Sequence, residues 1–121
     1  MTESLPAYRK IVAIVRRIRL PAIEDRLCCE GVAGITVTPV KGFGEYANAF
    51  ARDLLVPHVR LDVYVAADDV DRLVAAIVDA ARTGEPGDGF VAVEPVLAIT
   101  HILSGKPFTV VQLGAAKPAT R

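Results

Sequence analysis

The sequence predicts a single α+β domain in which two helices cover one face of a four-stranded antiparallel sheet. Residues 58–65 alternate between apolar and polar side chains, which is the period of a strand with two different environments. Residues 70–81 place apolar side chains three and four positions apart, which is typical of an amphipathic helix. With three more predicted strands and one more predicted helix, the order is β-α-β-β-α-β, the split βαβ or ferredoxin-like arrangement.

The first strand and the first helix are predicted within residues 8–31. Residues 8–16 have apolar side chains on both faces, which favours a central strand. Pro21 suits the first turn of a helix, and Gly31 supplies its C-terminal stop. The adjacent Cys28 and Cys29 have poor geometry for a disulfide and no metal-binding spacing, so we expect buried or half-buried thiols on this helix.

The later elements follow from the same patterns. Residues 35–40 are predicted to form the second strand, and a long loop at 42–57 joins it to the third. Asp68 is predicted to cap the second helix, with Asp71 three residues on. A fourth strand is predicted at 90–96, and a further edge strand at 110–113 within a C-terminal extension (104–121) of this one domain, 1–121. The face with Arg60, Asp62 and Tyr64 also has apolar neighbours, so we predict that it packs on sister subunits.

Composition excludes several classes of function. Fourteen basic and fourteen acidic side chains give a formal net charge of zero, so a nucleic-acid partner is not expected. No apolar run approaches the length of a membrane span, and the N-terminus shows no signal-peptide pattern, so we expect a cytoplasmic protein. His58 and His101 are far apart, and no nucleophile or acid-base pair accompanies them. We therefore predict neither catalytic residues nor a metal site, and two structural histidines.

Two glycine-rich stretches are the candidate binding elements, KGFGEY at 41–46 and TGEPGDG at 83–89. Glycines let a backbone approach an anion closely and direct several N–H groups toward it. Each stretch alone is also ordinary turn chemistry. Two interpretations therefore stay open: the stretches bind an anion, or they only turn the chain.

The chain resembles the PII signal-transduction family over almost its whole length. The resemblance rests on Arg16 and Leu20 after the first strand, on GITVTPVKGFG, on VPHVRLDVYV, and on AARTG followed by GDG and a strand. It implies a homotrimer of ferredoxin-like subunits that binds adenine nucleotides in clefts between subunits and signals through the long loop. It also implies a regulatory protein and not an enzyme.

The resemblance also implies which residues form the cleft. One subunit would contribute Ile14, Thr36, Gly42, Phe43, Gly44 and Glu45, its neighbour Thr83, Gly87, Asp88, Gly89 and Phe90, and the sheet Asp62 and Tyr64. Gly87 and Gly89 would donate backbone N–H groups to phosphate, and adenine would lie in an apolar slot near Ile14 and Tyr64.

Departures from the family pattern refine this expectation. Phe90, His101 and Leu103 stand where relatives place three cations that reach the polyphosphate. Because a triphosphate benefits most from such cations, ADP or AMP is expected to bind in preference to ATP. Tyr46 replaces a glutamine that helps bind magnesium and 2-oxoglutarate, and His58 replaces a lysine at the base of the loop.

The shortened loop, which begins GFGEY, resembles a branch of PII-like proteins associated with carboxysomes or bicarbonate transport. That branch implies bicarbonate as a second ligand, control of inorganic carbon uptake or metabolism, and a membrane transporter or regulatory protein bound through residues 45–55. The alternatives are a nitrogen-regulatory PII protein that controls an ammonium transporter or a nitrogen-assimilation enzyme, a small enzyme acting on a phosphorylated substrate, and a structural module without a ligand.

Overall fold

The computed structural model of the protein describes residues 7–41 and 57–108. Its helices and strands follow the order β1 (Tyr8–Arg16), α1 (Leu20–Cys29), β2 (Thr36–Val40), β3 (His58–Ala66), α2 (Val70–Ala81) and β4 (Gly89–Val96). All pairings are antiparallel, and the sheet order is β2-β3-β1-β4. The predicted ferredoxin-like fold is therefore confirmed. The predicted strand at 110–113 and most of the loop at 42–57 lie outside the described residues.

The hydrophobic core lies between one face of the sheet and the two helices. Because side chains alternate across a strand, every second residue of β1 and β3 faces the same side. The buried side chains on that side come from β1, β3 and both helices: Ile11, Ala13, Val15, Val59, Leu61, Val63, Val65, Ile23, Leu27, Leu73 and Ile77. The apolar residues of the alternation predicted for 58–65 thus face the core, and the polar residues between them face the other side of the sheet.

Helix α1 begins and ends as its sequence predicts. Pro21 lies in the first turn, where its missing N–H costs no hydrogen bond. Gly31 has a φ of 89°, and the N–H of Val32 donates to the carbonyl of Leu27 at 3.0 Å. This hydrogen bond satisfies a carbonyl of the last turn while the left-handed glycine ends the helix.

The prediction that Asp68 caps α2 is wrong. Ala67–Asp69 form a single 3-10 turn, and the residue that precedes α2 is Asp69, which makes no side-chain capping bond. Asp69 Oδ1 instead accepts a hydrogen bond from Arg72 Nη2 at 3.2 Å. The 3-10 turn carries the chain into the helix without the extended residue that a capping side chain needs.

The prediction that Cys28 and Cys29 are buried or half-buried is also wrong, since both side chains are exposed. Ile23 and Leu27 fill the core from α1, and Cys28 and Cys29 follow Leu27 at the end of the helix. Each further residue turns the side-chain direction by about 100° on a helix of 3.6 residues per turn, so the thiols turn away from the core.

The outer face of the sheet is polar around Asp62. Lys10 Nζ lies 3.7 Å from Asp62 Oδ1 and 3.8 Å from Glu94 Oε2, and Arg60 Nη2 lies 3.0 Å from Asp62 Oδ1. Tyr64 shares this face and is 44% exposed. The polar cluster joins β1, β3 and β4 across the face that the helices leave uncovered.

Strands β2 and β4 are the two edges of the described sheet. Each of them contains one proline, Pro39 in β2 and Pro95 in β4. Most of the side chains of both strands are exposed.

Candidate functional site

The glycine-rich segment 83–89 connects α2 to β4 at one end of the sheet. Arg82, with φ −68° and ψ 128°, leaves the helical conformation and starts the segment. Gly84, Gly87 and Gly89 have φ values of 90°, 96° and 101°, a region that side-chain-bearing residues rarely adopt. The three glycines therefore allow a path that other residues would strain.

Asp88 ties this segment together. Its carboxylate accepts hydrogen bonds from the N–H groups of Thr83 (2.8 Å) and Gly84 (3.0 Å), from the Thr83 hydroxyl, and from Arg16 Nε (2.9 Å). Burial acts to raise the pKa of Asp88, but the hydrogen bonds from Thr83, Arg16 and Gly84 outweigh it and hold the pKa well below its usual range. Both carboxylate oxygens are thus engaged within the protein, and Asp88 shapes the segment.

Arg16 and His58 hold the other side of the segment. Arg16 Nη2 donates to the Pro86 carbonyl at 2.7 Å, and His58 Nε2 lies 2.8 Å from the Gly87 carbonyl. A carbonyl oxygen only accepts, so His58 Nε2 carries a proton in this contact. His58 is buried and lies directly across the β1–β3 ladder from Arg16.

Sequence reasoning missed this pair. The sequence predicts a structural role for His58 without a partner, and Arg16 enters only as part of the family resemblance. The topology offers a signal, because the end of β1, the start of β3 and the start of β4 meet at one edge of a split βαβ sheet. Polar side chains at those three places are therefore expected to meet.

Gly89 is required by close packing of the backbone. A Cβ atom at this position would lie 1.8 Å from the carbonyl oxygen of Ile14 and 2.8 Å from its carbonyl carbon. No real Cβ approaches backbone that closely, so β4 can pair with the end of β1 only through glycine. This accounts for Gly89 without reference to a ligand.

An apolar pocket lies beside the segment, between α2 and the ends of β1 and β4. Its volume is about 320 Å³, and it is lined by Ile14, Val15, Val74, Val78, Ala81, Arg82, Asp88, Gly89, Phe90 and Val91. Ile14 and Phe90 are directly paired across β1 and β4, and Phe90 is 46% exposed. The structure thus brings together four of the predicted site residues: Ile14, Asp88, Gly89 and Phe90.

Three other predicted site residues meet elsewhere in the same chain. Thr36, Asp62 and Tyr64 line a separate pocket of about 390 Å³, which Phe108 also borders. The two pockets share no residue, so Ile14 and Tyr64 line different pockets of one protomer. Gly42, Phe43, Gly44 and Glu45 lie outside the described residues, and the division of the site between subunits stays a prediction.

His101 and Leu103 lie on a turn that follows β4. Thr100 and Pro107 form an isolated bridge that closes the turn. His101 Nδ1 contacts Ser104 Oγ at 3.2 Å, and its ring packs edge-on against Phe108 at a centroid distance of 5.1 Å. Leu103 is 91% exposed at the tip. The His101 ring is thus held by its own turn, while the leucine faces outward.

Two further findings bear on function. Within residues 7–41 and 57–108, no group of three His, Cys, Asp or Glu side chains could hold a metal ion. None of the helices described in these ranges combines the length and the apolar character that crossing a bilayer requires.

Comparison with known proteins connects this fold to a family. The family described as "Nitrogen regulatory protein P-II" matches residues 8–106, which include every described strand and helix. The chain belongs to the PII family. PII proteins are regulatory signal-transduction proteins, and the family resemblance found in the sequence is confirmed.

Individual PII relatives agree with this assignment. The "Nitrogen regulatory protein P-II 1" of Methanothermobacter thermautotrophicus is 39% identical over 110 residues, which span 84% of this chain and 95% of that protein. A "Nitrogen regulatory protein P-II homolog" of Oryza sativa subsp. japonica is 34% identical over 82% of this chain, which spans only 50% of that longer protein. The crystal structure of Arabidopsis thaliana PII bound to citrate has a TM-score of 0.73 at 32% identity, with 85% of this chain and 90% of that chain covered.

Proposed function

We propose that this PII protein is a homotrimeric regulator that senses adenine nucleotides, with ADP or AMP favoured over ATP, and also bicarbonate. It would regulate inorganic carbon uptake or metabolism through its long loop. One observation supports nucleotide binding: the glycine-rich segment 83–89 borders the apolar pocket that Ile14 and Phe90 line. A glycine-rich segment next to an apolar pocket suits a phosphate joined to a flat base.

The preference for fewer phosphates follows from the cations of the family pattern that this chain lacks. Phe90 is paired with Ile14 and presents an aromatic ring at the position where the family pattern has a lysine. The exposed Leu103 likewise brings no charge to its turn. Each charge-assisted hydrogen bond contributes about 1.5–3 kcal/mol, so losing such contacts penalises the triphosphate most.

The homotrimer is supported by the outer face of the sheet. The cluster of Lys10, Arg60, Asp62 and Glu94 lies there next to the half-exposed Tyr64, and this mixture of charge and apolar area suits a contact between copies. The predicted site residues also fall into two separate pockets of one protomer. A neighbouring copy could join the two pockets into one cleft. Light scattering coupled to gel filtration is expected to give three times the chain mass, and a monomer at micromolar concentration would contradict the shared cleft.

Calorimetry tests the ligands. Titrations with ADP, AMP and ATP, each with and without bicarbonate, are expected to show ADP or AMP binding at least as tightly as ATP, and bicarbonate changing nucleotide affinity. A preference for ATP of tenfold or more, about 1.4 kcal/mol, would overturn the nucleotide ranking.

A nitrogen-regulatory role is the second candidate. The names of the relatives, including the 39% identical "Nitrogen regulatory protein P-II 1" of Methanothermobacter thermautotrophicus, favour it. It predicts that magnesium and 2-oxoglutarate together strengthen ATP binding and that bicarbonate has no effect. The same titrations with 2-oxoglutarate in place of bicarbonate therefore separate the two roles.

A further inference from the structure

The two peptide carbonyls on either side of Gly87 are both held by side chains of the sheet. Arg16 binds the carbonyl of Pro86, and His58 binds the carbonyl of Gly87. The pair stands on two central strands as directly opposed residues, so neither side chain depends on a loop for its position. Two consecutive peptide groups are thus oriented by a rigid support.

The orientation of the Pro86–Gly87 peptide, which Arg16 holds, decides where the Gly87 N–H points, and His58 holds the Gly87–Asp88 peptide that follows it. The carbonyl of Pro86 and the N–H of Gly87 belong to one planar peptide group, and no cis peptide bond is present among the described residues. In a trans peptide the two groups point in opposite directions. Because Arg16 draws the carbonyl toward β1, the N–H of Gly87 faces away from Arg16.

Gly87 is buried, yet its N–H has no acceptor among residues 7–41 and 57–108. Buried N–H groups in proteins are nearly always paired. The Asp88 carboxylate, the nearest anion in sequence, is engaged by Thr83, Gly84 and Arg16. The unpaired donor is therefore suited to an acceptor from outside the described chain.

We propose that Arg16 and His58 are positioning residues for the phosphate-facing backbone of Gly87. Arg16 holds the Pro86 carbonyl and so directs the Gly87 N–H of the same peptide, and His58 holds the Gly87 carbonyl and so fixes the peptide on the other side of this glycine. The inference rests on the proposed function and deepens it, because it assigns the alignment of the Gly87 backbone to two side chains of the sheet. Neither side chain needs to touch the ligand. Their effect passes through the peptide groups of residues 86–88.

Four variants test the proposal. His58→Leu removes the donor at similar size, while His58→Gln keeps an N–H donor that can reach the Gly87 carbonyl. Arg16→Met removes the second support, and Arg17→Met is the matched control for loss of one positive charge. Arg17 is exposed, and the structure gives its side chain no hydrogen bond or ion pair within the described ranges.

The first measurement is hydrogen exchange of residues 83–89 in nucleotide-free protein. Exchange is expected to accelerate about tenfold or more in His58→Leu and Arg16→Met, and by less than twofold in His58→Gln and Arg17→Met. Unchanged exchange in His58→Leu would overturn the proposal. This measurement needs no ligand, so it decides the positioning role even if the wild-type protein binds no nucleotide and the proposed function fails.

The second measurement compares ADP with adenosine, which lacks the phosphate groups. His58→Leu and Arg16→Met are expected to weaken ADP binding about tenfold while adenosine binding changes less than twofold, with ADP affinity restored in His58→Gln. A general loss of structure would weaken both ligands equally, and that result would overturn the proposal. Should Arg16→Met fail to fold, His58→Leu and His58→Gln alone decide between the two outcomes.

Discussion

The hydrogen bonds of the Asp88 carboxylate predict a large effect of its removal. Asp88→Ala deletes the acceptor for Arg16 Nε, for the Thr83 hydroxyl and for the N–H groups of Thr83 and Gly84. A hydrogen bond to a charged group contributes about 1.5–3 kcal/mol, but these bonds share one carboxylate and are not additive. Asp88 is also 24% exposed, so water replaces part of the loss. The expected decrease in the free energy of unfolding is about 3 kcal/mol, the size associated with breaking a partly buried ion pair.

The dependence of stability on pH gives an independent check. The pKa of Asp88 is depressed in the folded protein by the Thr83 and Arg16 hydrogen bonds despite the opposing effect of burial. A depressed pKa means that the stabilisation is fully present above the unfolded pKa of about 3.9. As the pH falls below that value, the unfolded state binds the proton first, and the stabilisation is lost progressively toward the folded pKa. Asp88→Asn removes this titration.

The assay is urea unfolding of the wild type, Asp88→Ala and Asp88→Asn between pH 7 and pH 2.5, with Asp25→Asn as control. Asp25 is exposed on α1 and makes no hydrogen bond or ion pair that the structure describes. The gap between wild type and Asp88→Asn is expected to be widest above pH 4 and to narrow below it. A change under 0.5 kcal/mol in Asp88→Ala, or a constant gap at all pH values, would refute the reasoning.

Three further predictions concern other residues. Gly89→Ala is expected to lower the free energy of unfolding by at least about 3 kcal/mol, because Gly89 has a φ of 101° and the new Cβ would overlap the Ile14 backbone. Gly34→Ala is the control: a Cβ at Gly34 lies in open space, so this variant should change the free energy of unfolding by less than about 1 kcal/mol. Urea unfolding of both variants checks this, and equal effects would contradict it. Phe90→Lys is expected to strengthen ATP binding about tenfold by calorimetry, since one charge-assisted contact contributes about 1.5–3 kcal/mol. Unchanged ATP affinity would show that position 90 does not face the phosphates. Cys28 and Cys29 are expected to react with a thiol reagent in the folded protein, because both are exposed. Reaction only after addition of urea would contradict their exposure.

The sequence was sufficient to predict the order and type of every described helix and strand. The spacing of apolar residues in β3 and α2 indicates which side of each element faces the core. Pro21 and Gly31 mark the start and the end of α1 through the conformation of their own backbone. The two errors concern features that depend on neighbours. Asp69 contacts Arg72 instead of capping α2, and Cys28 and Cys29 turn outward because Leu27 already fills the core.

The candidate site was harder to predict than the fold. Gly87 and Asp88 could be predicted, because the Gly-Asp-Gly motif at 87–89 indicates a turn from the sequence alone. The roles of Arg16 and His58 depend on partners that are distant in sequence. Pro86 is 70 positions from Arg16, and Gly87 is 29 positions from His58. Side-chain identity alone suggested an isolated histidine, and only the three-dimensional fold shows what its imidazole binds.

The prolines of the two edge strands affect how copies of this protein can meet. An unpaired strand edge offers a row of N–H and carbonyl groups on which another strand can extend the sheet, the first step toward fibrous aggregates. Pro39 and Pro95 have no N–H, and prolines within sheets are found where their nitrogen faces away from the ladder. A strand added at either edge would find one N–H donor missing near the C-terminal end of β2 or of β4. Edge-to-edge growth is therefore disfavoured at both edges of the described sheet.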